Sequence, residues 1–268
     1  MKRYRSLAIA RMFVTAFLIW CAGAMAANAA DLYRTKTVVT GQGEANRLIG
    51  FGRCLEDVLI KVSGAQKLAG DRRLAVHKSN AKDFVKAFSY RDQFEGKPIR
   101  DEQGTRDRPY DLTVDFDEKK IDDLLGKLGL KPWLSPRPRL FVLAEMEQGA
   151  RKFFVTADGA KSDLQRDALL DAADRRGMAI VLPPKEIEAR GTWAGRFEAP
   201  AGEGPILPLT GHLVWDDRAL GWATDWELQW QGRPHRWQVR GVTFDEAFRR
   251  GLGGAAQILS GNGDPAGR

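Results

Sequence analysis

A run of alternating residues near the C-terminus constrains the fold more than any other segment. Between Gly221 and Gly232, apolar and polar side chains alternate, which predicts a strand with one buried and one solvated face. The tryptophans of this run are four residues apart, a spacing that also fits a helix, but strict alternation, flanking glycines and β-favouring residues favour the strand. One face holds Trp222, Thr224, Trp226, Leu228 and Trp230, and the other holds Asp225, Glu227, Gln229 and Gln231.

The apolar face of this strand needs a cover, and the helix predicted to begin after Thr243 is the natural one. Thr243 and Glu246 form a capping box at its start. Its apolar residues recur at helical spacing and are Phe244, Ala247, Phe248, Leu252 and Ile258. The alternative is that the tryptophans between Trp193 and Trp237 form an exposed platform that stacks on a sugar ring.

The rest of the second half alternates strands and one helix. Residues 140–146 and 152–156 predict strands, and residues 178–182 predict a short buried strand. Ser162 and Gln165 form a second capping box, which predicts a helix that runs to about Arg176. A strand is predicted on either side of the alternating run between Gly221 and Gly232. The first covers residues 209–215, and the second contains Trp237 and Val239. The second half is therefore predicted to contain a three-strand meander followed by a C-terminal helix.

The first half shows a strand, helices and further strands. Residues 32–40 and 110–116 alternate as strands, and residues 88–94 are a candidate edge strand. Residues 44–62 predict a helix that Gly64 ends, and residues 72–88 have a weaker helical pattern. Asp117 is placed to cap a helix over residues 118–128. Residues 96–109 are polar and predict a mobile hairpin connection.

These elements predict an α+β fold of α/β layers, with two small sheet-plus-helix domains. We expect a signal peptide over residues 1–30, an N-terminal α+β domain over 31–131 and a Pro-rich linker over 132–138. A C-terminal α/β domain is predicted over residues 139–260, and a disordered tail over 261–268.

The first thirty residues have the pattern of a secretory signal. Four basic residues and no acidic one precede an apolar run of 15 residues, and Ala27 and Ala29 fit the cleavage positions. The run is shorter than the roughly twenty residues that span a bilayer, so a retained anchor is the less favoured alternative. Cleavage after Ala29 or Ala30 leaves 38 basic and 35 acidic residues. We therefore expect a periplasmic protein without a membrane anchor. The net charge of +3 that remains after cleavage does not favour nucleic-acid binding.

The chain has two cysteines, and the predicted cleavage removes Cys21. Cys54 then has no partner for an intramolecular disulfide, although the compartment is oxidising. Its neighbours Phe51, Leu55 and Val58 form an apolar helical stripe, which predicts a buried and unreactive thiol.

No motif predicts a catalytic, cofactor or metal site. The turn at Gly41 and Gly43 lies between a strand and a helix, but Asn46 occupies the third position of a glycine fingerprint, so we expect no nucleotide. His77, His212 and His235 are not spaced as metal ligands, and His212 is predicted on the polar face of its strand.

Two groups of residues leave functional alternatives open. The acidic pairs Asp122 with Asp123 and Asp216 with Asp217 lie in helix-surface or turn contexts. The distance between two carboxylates in the fold does not follow from the sequence, so a glycoside hydrolase stays open. Residues 191–208 form a long Gly/Ala/Pro loop, and Trp193 within it is the candidate contact for a partner.

Several segments together resemble the proteobacterial family called domain of unknown function 2066. They begin at Leu32 and Tyr33 and include Val62-Ser63-Gly64, Gly129-Leu130-Lys131-Pro132-Trp133, Arg137-Pro138, and Arg176-Gly177-Met178 with its strand. The resemblance implies an exported envelope protein and transfers no catalytic residue. We expect a non-catalytic envelope binding or assembly module whose partner is an envelope protein or peptidoglycan. The alternative is a cell-wall glycan-binding protein or hydrolase.

Overall fold

The computed structural model describes residues 31–96, 108–134, 137–187 and 206–265. Within these ranges the chain forms two β-sheets and five α-helices, joined in places by short 3-10 turns. The first sheet precedes the predicted linker and the second follows it. The predicted α+β class is confirmed, including the antiparallel meander and the C-terminal helix.

The first sheet has three antiparallel strands in the order β1-β3-β2, and one long helix covers one of its faces. Its elements in chain order are β1 (Arg34–Thr40), α1 (Glu44–Ser63), α2 (Ala75–Ser79), β2 (Val85–Asp92), β3 (Pro109–Phe116) and α3 (Glu118–Lys127). Helix α1 packs so closely that a Cβ at Gly50 would lie 2.6 Å from Leu112. Gly64 ends α1 in the left-handed region at φ 72°, and Asp117 caps α3, both as predicted.

The second sheet has the strand order β5-β4-β7-β8-β9, with a short strand β6 paired to β4. Its elements are β4 (Arg139–Gln148), β5 (Arg151–Phe154), α4 (Asp163–Arg175), β6 (Ile180–Val181), β7 (Ile206–Asp216), β8 (Gly221–Trp230), β9 (Arg233–Val242) and α5 (Phe244–Leu259). Strands β4 and β7 are parallel, and β7, β8 and β9 form the antiparallel meander. Helices α4 and α5 pack against each other on one face.

The core of the second half is built around Trp226. Its ring lies against two glycines, because a Cβ at Gly211 of β7 would lie 2.5 Å from the ring and a Cβ at Gly251 of α5 would overlap it. Trp222 and Trp237 are buried beside it. The prediction that α5 covers the tryptophan face is therefore confirmed, and these three tryptophans cannot form an exposed platform for a sugar.

The two halves meet at Arg137. Its guanidinium donates hydrogen bonds to the carbonyl oxygens of Lys61 and Val62, at the end of α1, at 2.8 and 3.3 Å. It also donates to the carbonyl oxygens of Arg176 and Gly177, just after α4, at 2.9 and 3.3 Å. One side chain thus caps a helix from each half.

Three local predictions differ from the structure. The helical pattern over residues 72–88 breaks into short turns, because Asn80 bonds back to the carbonyl of Val76 and β2 pairs with β3 from Val85 onward. Ser162 does not cap α4 with its side chain, because its hydroxyl accepts a hydrogen bond from the Thr156 amide of the preceding loop. The predicted strand over residues 178–182 is reduced to the two residues of β6.

The predicted tail also makes contacts where it is described. The side-chain amide of Asn262 donates to the carbonyl oxygen of Ser63 at 2.8 Å, and the Lys67 ammonium donates to the Asn262 carbonyl. The domain boundaries of the sequence analysis remain predictions. In the described ranges, no helix is both long and apolar enough to cross a bilayer.

The packing around Trp226 predicts opposite effects for two helical glycines. Gly251→Ala places a methyl group in the Trp226 ring, so we expect it to lower the free energy of unfolding by about 1 to 3 kcal/mol. Gly126→Ala in α3 meets no atom within 4 Å, so we expect a gain of up to about 1 kcal/mol from helix propensity. Urea unfolding measures both, and equal effects would contradict the packing described.

Candidate functional site

The predicted glycine turn has a structural role. Gly43 precedes α1, and the side-chain amide of Asn46 donates a hydrogen bond back to the carbonyl oxygen of Thr40 at the end of β1. This bond ties the first turn of α1 to the strand before it. The residue that departs from the glycine fingerprint is therefore used to shape the turn.

The acidic pairs singled out in the sequence also have local partners. Asp122 accepts a hydrogen bond from the Tyr33 hydroxyl at 2.8 Å, and burial together with this bond raises the pKa of Tyr33. Asp123 pairs with Lys119 one helical turn away. Asp216 accepts the backbone amides of the following turn, and Asp217 accepts the indole N–H of Trp215 at 2.9 Å. These carboxylates stabilise local structure.

The strongest candidate site is the face of the second sheet that points away from α4 and α5. We call it the outer face, and it comprises Glu145, Glu147, Thr210, His212, Asp225, Glu227, Arg236 and Gln238. These residues alternate along their strands with the buried residues of the core, so the pleat of the sheet places them together. The register aligns Glu145, His212, Asp225 and Gln238 in one row across four strands.

His212 lies at the centre of this row, between carboxylates. Its Nε2 atom is 3.8 Å from a carboxylate oxygen of Glu145 and 3.7 Å from one of Glu147. The His212 side chain is 45% exposed, as expected for the polar face of its strand. Both distances exceed a hydrogen bond, so the imidazole lies beside the two carboxylates without bonding directly to either.

Basic side chains flank the row on both sides. Lys152 on β5 pairs with Glu145 at 3.1 Å. Arg236 on β9 pairs with Glu227 at 2.7 Å, and this hydrogen-bonded pair lowers the pKa of Glu227. The outer face therefore has an acidic centre between two cationic edges.

Only part of this sheet face is open. At the start of β4, Phe141 and Leu143 are buried against Phe154 and Ile187. The open part begins at Glu145, near the carboxyl ends of the parallel strands β4 and β7, and Glu145, His212 and Gln238 line part of a depression. Carboxyl ends of parallel strands are frequent positions for ligands in α/β proteins.

Sequence reasoning located part of this site. It placed His212 on the polar face of its strand, but it did not single out Glu145 or Glu147. Their signal was the change on β4 from apolar residues to alternating glutamates. Trp193 lies outside the described residues. Within the described ranges, no group of three or more His, Cys, Asp or Glu side chains is arranged to hold a metal ion.

Comparisons with known proteins give little functional information. Residues 26–134 match a family described as a domain of unknown function (DUF8605). The chain therefore contains a region similar to an uncharacterised domain, although the family differs from the one named from the sequence. No curated protein matches the chain. A structure described as "Crystal structure of uncharacterized protein" is 10% identical, covers 47% of this chain and 94% of its own, and has a TM-score of 0.22.

The environment of Cys54 predicts its reactivity. The thiol has no exposed surface, and burial raises its pKa to about 12. We expect a thiol reagent at pH 8 to modify Cys54 in the folded protein at least about a thousandfold more slowly than in urea. A cysteine introduced by Leu164→Cys, at a position 73% exposed, is the control and should react fast in both conditions. Equal rates for the two cysteines in the folded protein would contradict burial.

Proposed function

We propose that the chain is an exported, non-catalytic protein of the bacterial cell envelope that binds a partner through the outer face. The pattern of residues 1–30 supports export. The chain enters the core just after the expected cleavage, because Leu32 and Tyr33 are buried and the Lys61 ammonium donates to the Asp31 carbonyl.

One observation carries the binding half of the proposal. The outer face presents charged side chains at fixed positions on adjacent strands, with His212 between Glu145 and Glu147. Sites built on strands hold their side chains more firmly than sites built on loops. The acidic centre between Lys152 and Arg236 fits a polar partner that presents a positive group to the carboxylates and negative groups to the two edges.

The chemical nature of the partner follows from this charge pattern. An envelope protein or the peptide part of peptidoglycan offers ammonium and carboxylate groups together. Stacking on sugar rings is less favoured, because Trp222, Trp226 and Trp237 are in the core. We therefore propose recognition through charge and hydrogen bonds.

A second candidate function is hydrolysis of a cell-wall glycan or peptide. The observation in its favour is His212, an imidazole beside two carboxylates at the edge of an open depression. The two candidates differ in one measurement. A hydrolase releases soluble fragments from purified cell-wall sacculi and loses this activity in His212→Ala, whereas a binding protein releases none.

Site-specific photocrosslinking in living cells tests the proposed function. A photoreactive amino acid placed at Thr210 or Gln238, both exposed on the outer face, should give discrete adducts of higher mass. The same amino acid at Leu164, exposed on α4, is the matched control and should give none. Adducts of equal yield from all three positions, or no adduct from the outer face, would contradict binding through this face.

The same cells test the export half separately. We expect osmotic shock to release the protein and its intact mass to correspond to a chain that starts at Ala30 or Asp31. A chain that retains Met1 and stays with the cytoplasmic fraction would contradict export, whatever the crosslinks show.

A further inference from the structure

Strand β2 has an open edge in the described part of the chain. The order β1-β3-β2 gives β2 a single neighbour, and the amide of Gln93 donates to the carbonyl of Pro109 at the end of this pairing. Hydrogen-bonded pairs alternate in an antiparallel ladder, so Ser89 and Arg91 bond to β3. The backbone N–H and C=O groups of Phe88 and Tyr90 therefore point away from the sheet.

The other long edges of the described sheets are covered or protected. Strand β1 carries the exposed charged residues Arg34 and Lys36, and Lys36 pairs with Asp171 at 3.6 Å. Strand β9 carries Pro234, which has no N–H, and the exposed arginines Arg236 and Arg240. Proline and exposed charge are the usual means by which proteins prevent pairing at a sheet edge.

The centre of strand β2 carries neither a proline nor a charged residue. The run Ala87–Tyr90 is uncharged. Phe88 is 45% exposed, although its ring centroid lies 5.3 Å from that of Phe51 and 5.9 Å from that of Tyr90. On the opposite face of the strand, Ala87 and Ser89 are small and exposed. An edge of this kind is suited to accept another strand.

We propose that the partner of this edge is β2 of a second copy of the chain, paired antiparallel about a two-fold axis at Ser89. In this register Phe88 pairs with Tyr90 of the second copy, twice by symmetry, and the outward backbone groups of both residues meet in hydrogen-bonded pairs. Ser89 faces its own copy in a pair without hydrogen bonds, where the Cα atoms are close and the two side chains are in contact.

The ends of the strand are complementary in the same register. Lys86, in the β-bulge at the start of β2, comes next to Asp92 of the second copy, which also pairs with Arg108 of its own chain at 2.7 Å, so this carboxylate lies between two cationic side chains. The two three-stranded sheets become one continuous sheet of six strands. A register shifted by two residues in one direction places Phe88 opposite Phe88 of the second copy, and Lys86 then no longer lies next to Asp92. A shift in the other direction places Phe88 opposite Asp92, and the Phe88–Tyr90 pairs are lost.

Sedimentation equilibrium of the purified protein over a range of concentrations tests the proposal. We expect a reversible dimer, because a single strand pair buries less surface than a permanent interface. Ser89→Glu puts two carboxylates directly opposite each other and should weaken the dimer at least about tenfold. Ser89→Thr, which favours strands and adds no charge, should retain it.

A second control separates the edge from the fold. Thr113→Glu adds the same charge to the same face of the same sheet, but on the central strand β3 beside Ser89. It should dimerise as the unmodified protein does, and all variants should give the same far-UV circular dichroism. A monomer at every concentration, or a dimer that Ser89→Glu leaves unchanged, would overturn the proposal.

Discussion

The contact on which the rest of the structure depends is the guanidinium of Arg137. The last carbonyl groups of a helix have no partner within the helix and carry its negative dipole end, so a buried helix end needs a donor. Arg137 supplies donors to the ends of both α1 and α4 and stacks on the Trp133 ring at 4.3 Å. Burial lowers the pKa of Arg137 to about 10, which leaves the side chain charged at neutral pH.

The motifs that carried the family resemblance meet at this contact. Gly64 follows α1 and Gly177 follows α4, and both have positive φ. A Cβ at Gly177 would lie 3.0 Å from the Arg137 guanidinium, and one at Gly64 would lie 2.9 Å from the Trp133 ring. Buried Arg176 adds an ion pair with Asp57 of α1 at 3.7 Å. These motifs therefore position the two halves, and the outer face lies on the opposite side of the second sheet from the helices.

The sequence predicted the elements whose pattern is local. Alternation at Trp226 and the cap at Asp117 each depend on neighbours along the chain, and both are confirmed. The pairing of β4 with β7 joins residues 67 positions apart, so the approach of Glu145 to His212 has no local signal. The role of Arg137 was missed for the same reason, because its acceptors come from two distant helices. Ser162 matches a capping box in the sequence but does not cap α4, because its hydroxyl accepts a hydrogen bond from the nearby Thr156 amide instead.

Urea unfolding of Arg137→Ala with two probes tests this account most directly. Tryptophan fluorescence reports the second half, where six of the eight tryptophans lie, and thiol modification of Cys54 reports the core of the first. We expect the two probes to give one shared midpoint in the unmodified protein. In Arg137→Ala, which removes the side-chain donors to the Lys61, Arg176 and Gly177 carbonyls, both midpoints should fall and separate. A variant whose probes keep the original shared midpoint would contradict the central role of Arg137.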